Sequence, residues 1–185
     1  MRITGGELRG RAVSAPSTAS LRPTQDRVRE ALFNILAPEI AGADFLDLFA
    51  GTGAVGLEAL SRGARRATFV ESNRRHLAVL NANVAALGAV SRAEVVAADA
   101  YRWIAGGSAG PGFSIAFADP PYALGEERGY ASVLEALASH GVVRPGGLFA
   151  AEMTAVQKAE ETPGWDLLRD RTYGRTRICI WRRTA

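Results

Sequence analysis

The chain has 185 residues, long enough to bury one real core and too short for several domains. At 48% hydrophobic, 22% charged and a net charge of +3, it is excluded from the disordered, collagenous and membrane-spanning classes. Its one cysteine, Cys179, rules out an internal disulfide framework and a paired-cysteine zinc site.

Residues 1–20 are rich in Gly, Ser, Thr and Arg and too poor in apolar residues to pack alone; they are read as a basic arm or short hairpin, and 21–185 as the main domain. Lys158 is the only lysine among 22 basic residues. Arg2, Arg9, Arg11, Arg22, Arg27 and Arg29 crowd the first 29 positions against Glu7 and Asp26 alone. Arginine forks suit phosphates and bases, so this stretch is a candidate nucleic-acid face. Thr24 is placed to cap a helix over 25–37, where Val28, Ala31, Leu32, Ile35 and Leu36 recur at helical spacing and Pro38 is expected to end it.

Beyond that helix, strands and helices alternate. Strands are predicted at Asp44–Phe49, Ala67–Glu71, Ala93–Ala98, Phe113–Ala118 and Gly147–Met153, and helices over 54–62, 73–87 and 130–139. Such βαβ units imply a parallel sheet with helices on both faces. The ending differs: Trp165–Tyr173 and Arg175–Arg183 are separated by Gly174 alone, too closely for a crossover helix, so they form a hairpin that adds antiparallel strands. Cys179, in the alternating run Arg177–Trp181, reads as a buried strand thiol. No signal-peptide core is present, and a cytoplasmic protein without a membrane partner is expected.

Two constellations carry chemistry. In the first, Asp47-Leu48-Phe49-Ala50-Gly51-Thr52-Gly53-Ala54-Val55-Gly56 joins the first predicted strand to a helix, where glycines let a ligand approach the backbone. Glu71 ends the second strand with Ser72 after it, and Asp99 with Ala100 follows the third. An ionised carboxylate at position 71 can accept both hydroxyls of a ribose, and one at position 99 can receive an adenine amine. Asp47, Glu71 and Asp99 at successive strand ends describe a site for an adenosine-bearing cofactor, which suits a dinucleotide fold and a methyltransferase alike.

In the second, Asp119-Pro120-Pro121-Tyr122 directly follows the fourth strand. The prolines remove two backbone donors and fix φ, so a carboxylate and a neighbouring carbonyl become a rigid pair of acceptors for the two hydrogens of an amino group. Tyr122 offers a stacking face for a base.

Asp119–Tyr122 resembles the [DN]PP[YF] motif of amino-group methyltransferases, and Asp47–Gly53 their cofactor loop. Arg2-Ile3-x-Gly5-Gly6 with Arg9-Gly10-Arg11, and Arg22-Pro23-Thr24-x-x-Arg27-Val28-Arg29-Glu30-Ala31-Leu32-Phe33-Asn34, narrow the likeness to the bacterial 16S rRNA guanine-N2 methyltransferase family. The resemblance covers nearly the whole chain. It implies the class I (Rossmann-like) seven-stranded α/β fold, S-adenosylmethionine as methyl donor, no metal, and a guanosine amine of small-subunit 16S rRNA, in the subunit or its assembly intermediate, as acceptor. Asp119 and the Pro120 carbonyl then hold the amine and Tyr122 stacks the base. Asp47, Ala50, Gly51, Thr52, Gly53, Glu71, Ser72, Asp99 and Ala100 line the cofactor, while Arg2, Arg9, Arg11, Arg22 and Arg27 meet RNA; a monomer is expected. The competing readings are adenine in DNA or a glutamine amide as acceptor, a nicotinamide-dependent oxidoreductase resting on Gly51–Gly56 and Glu71, and a non-catalytic RNA-binding protein.

Overall fold

The structure is a computed structural model describing residues 1–15, 23–107, 110–120, 130–159 and 161–185, without the side chains of 23–25. Seven strands, β1 (Asp44–Leu48), β2 (Arg66–Glu71), β3 (Ala93–Ala97), β4 (Phe113–Ala118), β5 (Val143–Thr154), β6 (Trp165–Tyr173) and β7 (Thr176–Arg183), fall in the order β3-β2-β1-β4-β5-β7-β6. The helices are α1 (Pro23–Ile40), α2 (Ala54–Ser61), α3 (Arg74–Ala86), α4 (Ala100–Ala105) and α5 (Ala131–Ser139). None among the described residues is long and apolar enough to cross a membrane. This is the α/β, mostly parallel architecture with a terminal antiparallel hairpin that the alternation of apolar runs predicted. The chain divides into two compact units, Met1–Asp99 and Ala100–Ala185.

In the first unit, β1 pairs parallel with β2, and β2 with β3. Their carboxyl ends therefore share one edge, which carries Phe49, Glu71 and Asp99. Helix α1 buries Val28, Leu32, Phe33, Leu36 and Ile40. It starts at Pro23, a favoured first-turn residue, and runs through Pro38 instead of stopping there. A proline this near the end removes only one intrahelical donor, and buried Ile40 anchors the final turn.

The first fifteen residues pack against α2. Arg2 and Ala12 form an antiparallel bridge, with Ile3 and Val13 buried beneath it. A Cβ on Gly6 would lie 1.8 Å from the Ser61 carbonyl oxygen, so only glycine permits this contact.

In the second unit, β4 pairs parallel with β5, β5 antiparallel with β7, and β7 with β6. Strand β5 begins four residues before the predicted Gly147, because Arg144–Gly147 bulges out between the paired positions Phe113↔Val143 and Ile115↔Leu148. Helix α4 has only six residues, too short for a period to betray it. The hairpin turn places Tyr173 opposite Thr176, with Gly174 at φ 61°. Cys179 is fully buried, and that burial pushes its thiol up to about 11, which makes it a core residue.

Candidate active site

The loop after β1 is built from positive backbone angles: Phe49 at φ 59°, Gly51 at 55° and Gly53 at 81°. For phenylalanine this is a strained conformation, of the kind that survives only where the surroundings enforce it. Those surroundings are specific. The Ala50 amide donates to the Val70 carbonyl at 3.0 Å, and Asn83 Nδ2 donates to the Thr52 carbonyl at 2.9 Å.

The glycines have separate tasks. A Cβ on Gly53 would lie 2.3 Å from Leu80 Cδ1, and one on Gly56 would lie 2.3 Å from the Phe69 ring. Both are therefore demanded by the packing of α2. A Cβ on Gly51 would meet nothing closer than the Phe49 carbonyl at 3.9 Å, so Gly51 borders open space.

Two acids hold the loop. Asp47, 2% exposed, accepts the Gly56 amide at 2.8 Å through Oδ2. Burial, only partly offset by that amide and reinforced by the charge of Glu71, pushes its carboxyl up to about 8. Asp47 thus touches the loop from beneath and has almost no surface of its own. Glu71 ends β2 with Oε2 accepting the Gly51 amide and Oε1 accepting the Asn73 amide, both at 2.7 Å. A carboxylate offers about four lone-pair positions, so one remains on each oxygen, the capacity needed for a vicinal diol. Asn73 in turn caps α3 by accepting from the Arg75 and His76 amides, and His76 Nδ1 lies 3.7 Å from Glu71 Oε2. Ser72 and Asp99 are exposed, whereas Ala50 and Ala100 are buried. The structure thus has Asp47 and Glu71 hold the same loop at two points, Asp47 through the Gly56 amide and Glu71 through the Gly51 amide. A carboxylate with an acceptor position left on each oxygen, beside a strained glycine loop, has the chemistry to fit the ribose end of an adenosine-bearing group.

In the second unit, Ile115–Ala118 of β4 are buried and Asp119 emerges exposed at the strand's carboxyl end. Pro120 is buried behind it. Pro121 and Tyr122 lie outside the described residues, as does Arg22. Tyr130, at the mouth of α5, is 4% exposed and donates its hydroxyl to the Glu152 carbonyl at 2.8 Å. Its ring stacks near Trp181 and packs at a tilt against Phe149. Burial raises its phenol strongly and the negative charge of Asp119 raises it further, so Tyr130 is a permanently neutral residue within the field of Asp119. Sequence reasoning missed it; an aromatic opening a helix just after the Pro-Pro segment is the available signal. Trp103 packs against Phe113, and Trp165 donates to the Leu134 carbonyl, so both are structural.

Of the candidate RNA-facing arginines, Arg2, Arg9, Arg11 and Arg27 are exposed. Arg2 and Arg11 also brace the fold through the Gly10 and Ala86 carbonyls. Arg29 departs from the basic crowd. It is 5% exposed and bonds Glu58, Asp26 and the Arg2 carbonyl. Glu58 is fully buried and accepts from the Thr4 amide and hydroxyl, the Gly5 amide, Arg29 and Arg62. Burial alone would raise its carboxyl, but these donors hold it below the ordinary glutamate range. An acid within the apolar run Gly56-Leu57-Glu58-Ala59-Leu60 was the sequence sign of this knot. Among the described residues no group of three or more His, Cys, Asp or Glu side chains is arranged to hold a metal.

Comparison with known proteins identifies the family and the fold. The model of the family described as conserved hypothetical protein 95 matches residues 1–182. Ribosomal RNA small subunit methyltransferase D of Escherichia coli (strain K12) is 39% identical, over 100% of this chain and 91% of its own. The Haemophilus influenzae protein of that name is 36% identical, over 94% and 89%. The solved structure of Escherichia coli yhhF superposes with a TM-score of 0.86 at 35% identity, covering 100% of this chain and 98% of that one. A hypothetical protein of Thermus thermophilus gives 0.79 at 34%, covering 97% and 98%. The chain therefore belongs to the conserved hypothetical protein 95 family and has its class I methyltransferase fold.

Proposed function

We propose that this protein transfers a methyl group from S-adenosylmethionine to the exocyclic N2 amine of a guanosine in 16S rRNA of the small ribosomal subunit. The observation that carries the reading is Asp119: an exposed carboxylate on a buried strand end, followed by a buried proline. Full-length similarity to ribosomal RNA small subunit methyltransferase D supports the acceptor class.

When bound, S-adenosylmethionine supplies an electrophilic methyl on a sulfonium. Glu71 accepts the ribose hydroxyls with the lone pairs its two amide bonds leave free. Gly51 gives the methionine portion a backbone surface without a side chain, and Asp99 accepts the adenine amine. Asp47 acts through the loop by fixing the Gly56 amide. A guanine amine is a weak nucleophile because its lone pair is delocalised into the ring. With one hydrogen bonded to the Asp119 carboxylate and the other to the Pro120 carbonyl, the nitrogen pyramidalises and its lone pair turns out of the ring plane. Attack in line with the methyl–sulfur bond forms N–CH₃ and releases a neutral thioether. The new ammonium passes one proton to the Asp119 carboxylate and on to solvent. Positioning and preorganised acceptors carry the rate. Tyr122 stacks the flipped base, whose extraction costs a few kcal/mol.

The exposed arginines Arg2, Arg9, Arg11 and Arg27, with Arg22, meet RNA phosphates in this reading. The first 20 residues serve as the basic arm of a 21–185 catalytic domain. The protein acts as a cytoplasmic monomer on the subunit or its assembly intermediate. The decisive experiment follows tritium from labelled S-adenosylmethionine into small subunits from cells lacking this protein, with the modified base mapped. Asp119→Asn should cut kcat by about 100-fold or more while leaving S-adenosylmethionine affinity within about threefold. Near-normal turnover in that variant, or label on no guanosine N2, overturns the proposal.

A further inference from the structure

The hairpin at the chain's end carries charge that the proposed chemistry does not use. Between residues 169 and 177 stand Arg169, Arg171, Arg175 and Arg177 against one acid, Asp170. Asp170 is already engaged, bonded by Arg177 at 2.5 and 2.7 Å. Arg169, Arg171 and Arg175 are exposed, and none forms an ion pair among the described residues.

Strand register fixes where they lie within their unit. Ala118 of β4 is level with Ala151 of β5, which puts Asp119 level with Glu152. Glu152 pairs with Ile178, and Ile178 with Arg171. Arg171 is thus three strands from Asp119 along one row, roughly 14 Å at the usual strand spacing. Arg169, Arg171 and Tyr173 alternate onto one face of β6, and Arg175 sits in the turn beyond Tyr173. The β5–β6 connection joins the same end, since the Ala155 amide donates to the Arg175 carbonyl and Arg177 donates to the Gln157 carbonyl. It contributes exposed Lys158 and Val156, a large apolar side chain 85% exposed.

We propose that this end of the β6–β7 hairpin is a second RNA-binding surface, gripping the backbone of the strand that carries the target nucleotide. It rests on the RNA reading above and extends it. At about 3.4 Å per phosphate along a stacked strand, Arg171 and Arg175 reach phosphates within about four nucleotides of the base held at Asp119. Arg169 and Arg171 each spend one donor on a neighbouring carbonyl, of Leu168 and Asp170, which leaves most of each exposed guanidinium fork to match phosphate oxygens, and Tyr173 and Val156 offer apolar faces to sugars or bases.

The test uses the full-length protein on small subunits from cells lacking it. For R171A/R175A the KM for subunits should rise about tenfold while kcat stays within about twofold and S-adenosylmethionine affinity is unchanged. The slope of log kcat/KM against log salt should become shallower by about one to two. R171K/R175K should recover most of the loss. Arg144→Ala, at the opposite end of β5, should have no such effect. If R171A/R175A keeps the parent KM and salt slope, or Arg144→Ala loses as much, the hairpin assignment is overturned and the methyl-transfer reading stands. If the parent protein labels no RNA, both fall together.

Discussion

At the residue scale, Asp47 sets a property of the ligand-free protein. Its carboxyl has almost no exposed surface, holds one amide, and is pushed up to about 8 from an ordinary value of 3.8. Between those two values the folded protein keeps a proton that the unfolded chain has released, so the contribution of this group falls as pH climbs through the window. Asp47→Asn preserves an acceptor for the Gly56 amide and removes the titration. Thermal unfolding without ligand should show parent and variant converging near pH 4. They should separate in favour of the variant toward pH 8, on the order of 2 kcal/mol after relaxation discounts the full shift. A constant difference across that range would show that Asp47 is ionised in the folded loop.

The element scale is ruled by Glu58 on α2. One buried carboxylate gathers the Thr4 and Gly5 amides, Arg29 of α1 and Arg62. Its lowered pKa means the stabilisation is complete above the ordinary glutamate range and is lost as pH falls through the depressed value. Glu58→Gln should cost about 3 kcal/mol, because it removes the buried counter-charge of Arg29 and leaves only the partly exposed Asp26. It should also speed hydrogen exchange at Thr4 and Gly5 before the strands open; equal protection in parent and variant would remove Glu58 from its anchoring role. The elements show what the sequence can and cannot tell. Strand ends were legible because apolar runs stop at Gly51, Glu71 and Asp119. The early start of β5 was hidden by Pro145-Gly146-Gly147, which reads as a turn but forms a bulge. The register of α1 was legible only in part: Phe33 and Ile40 are buried where Ala31 and Ile35 were expected. A local period cannot say which side of a helix meets the core.

For the whole molecule, the strand order is that of a class I methyltransferase fold, and the proposed methyl donor and the nicotinamide reading make opposite forecasts. Saturating S-adenosylmethionine, at about 100 times its Kd, should stabilise the protein by roughly 2.7 kcal/mol, seen as a rise in Tm, while reduced nicotinamide dinucleotide should leave Tm unmoved. The reverse pattern would overturn S-adenosylmethionine as the ligand of this site. The site residues were legible as types in position. Their partners were not: that Asp47 meets Gly56 and Glu71 meets Gly51 depends on loop closure over distances of 9 and 20 residues, which no local pattern encodes.

The order of strands also leaves β6 as an outermost one, an edge along which Arg169 and Arg171 bond the Leu168 and Asp170 carbonyls. Its alternating arginines, Arg169 and Arg171, are a barrier to edge-to-edge pairing between molecules, since like charges would be forced together. Neutralising them therefore carries a second effect, a greater tendency to aggregate at low salt, that is separable from RNA affinity by light scattering.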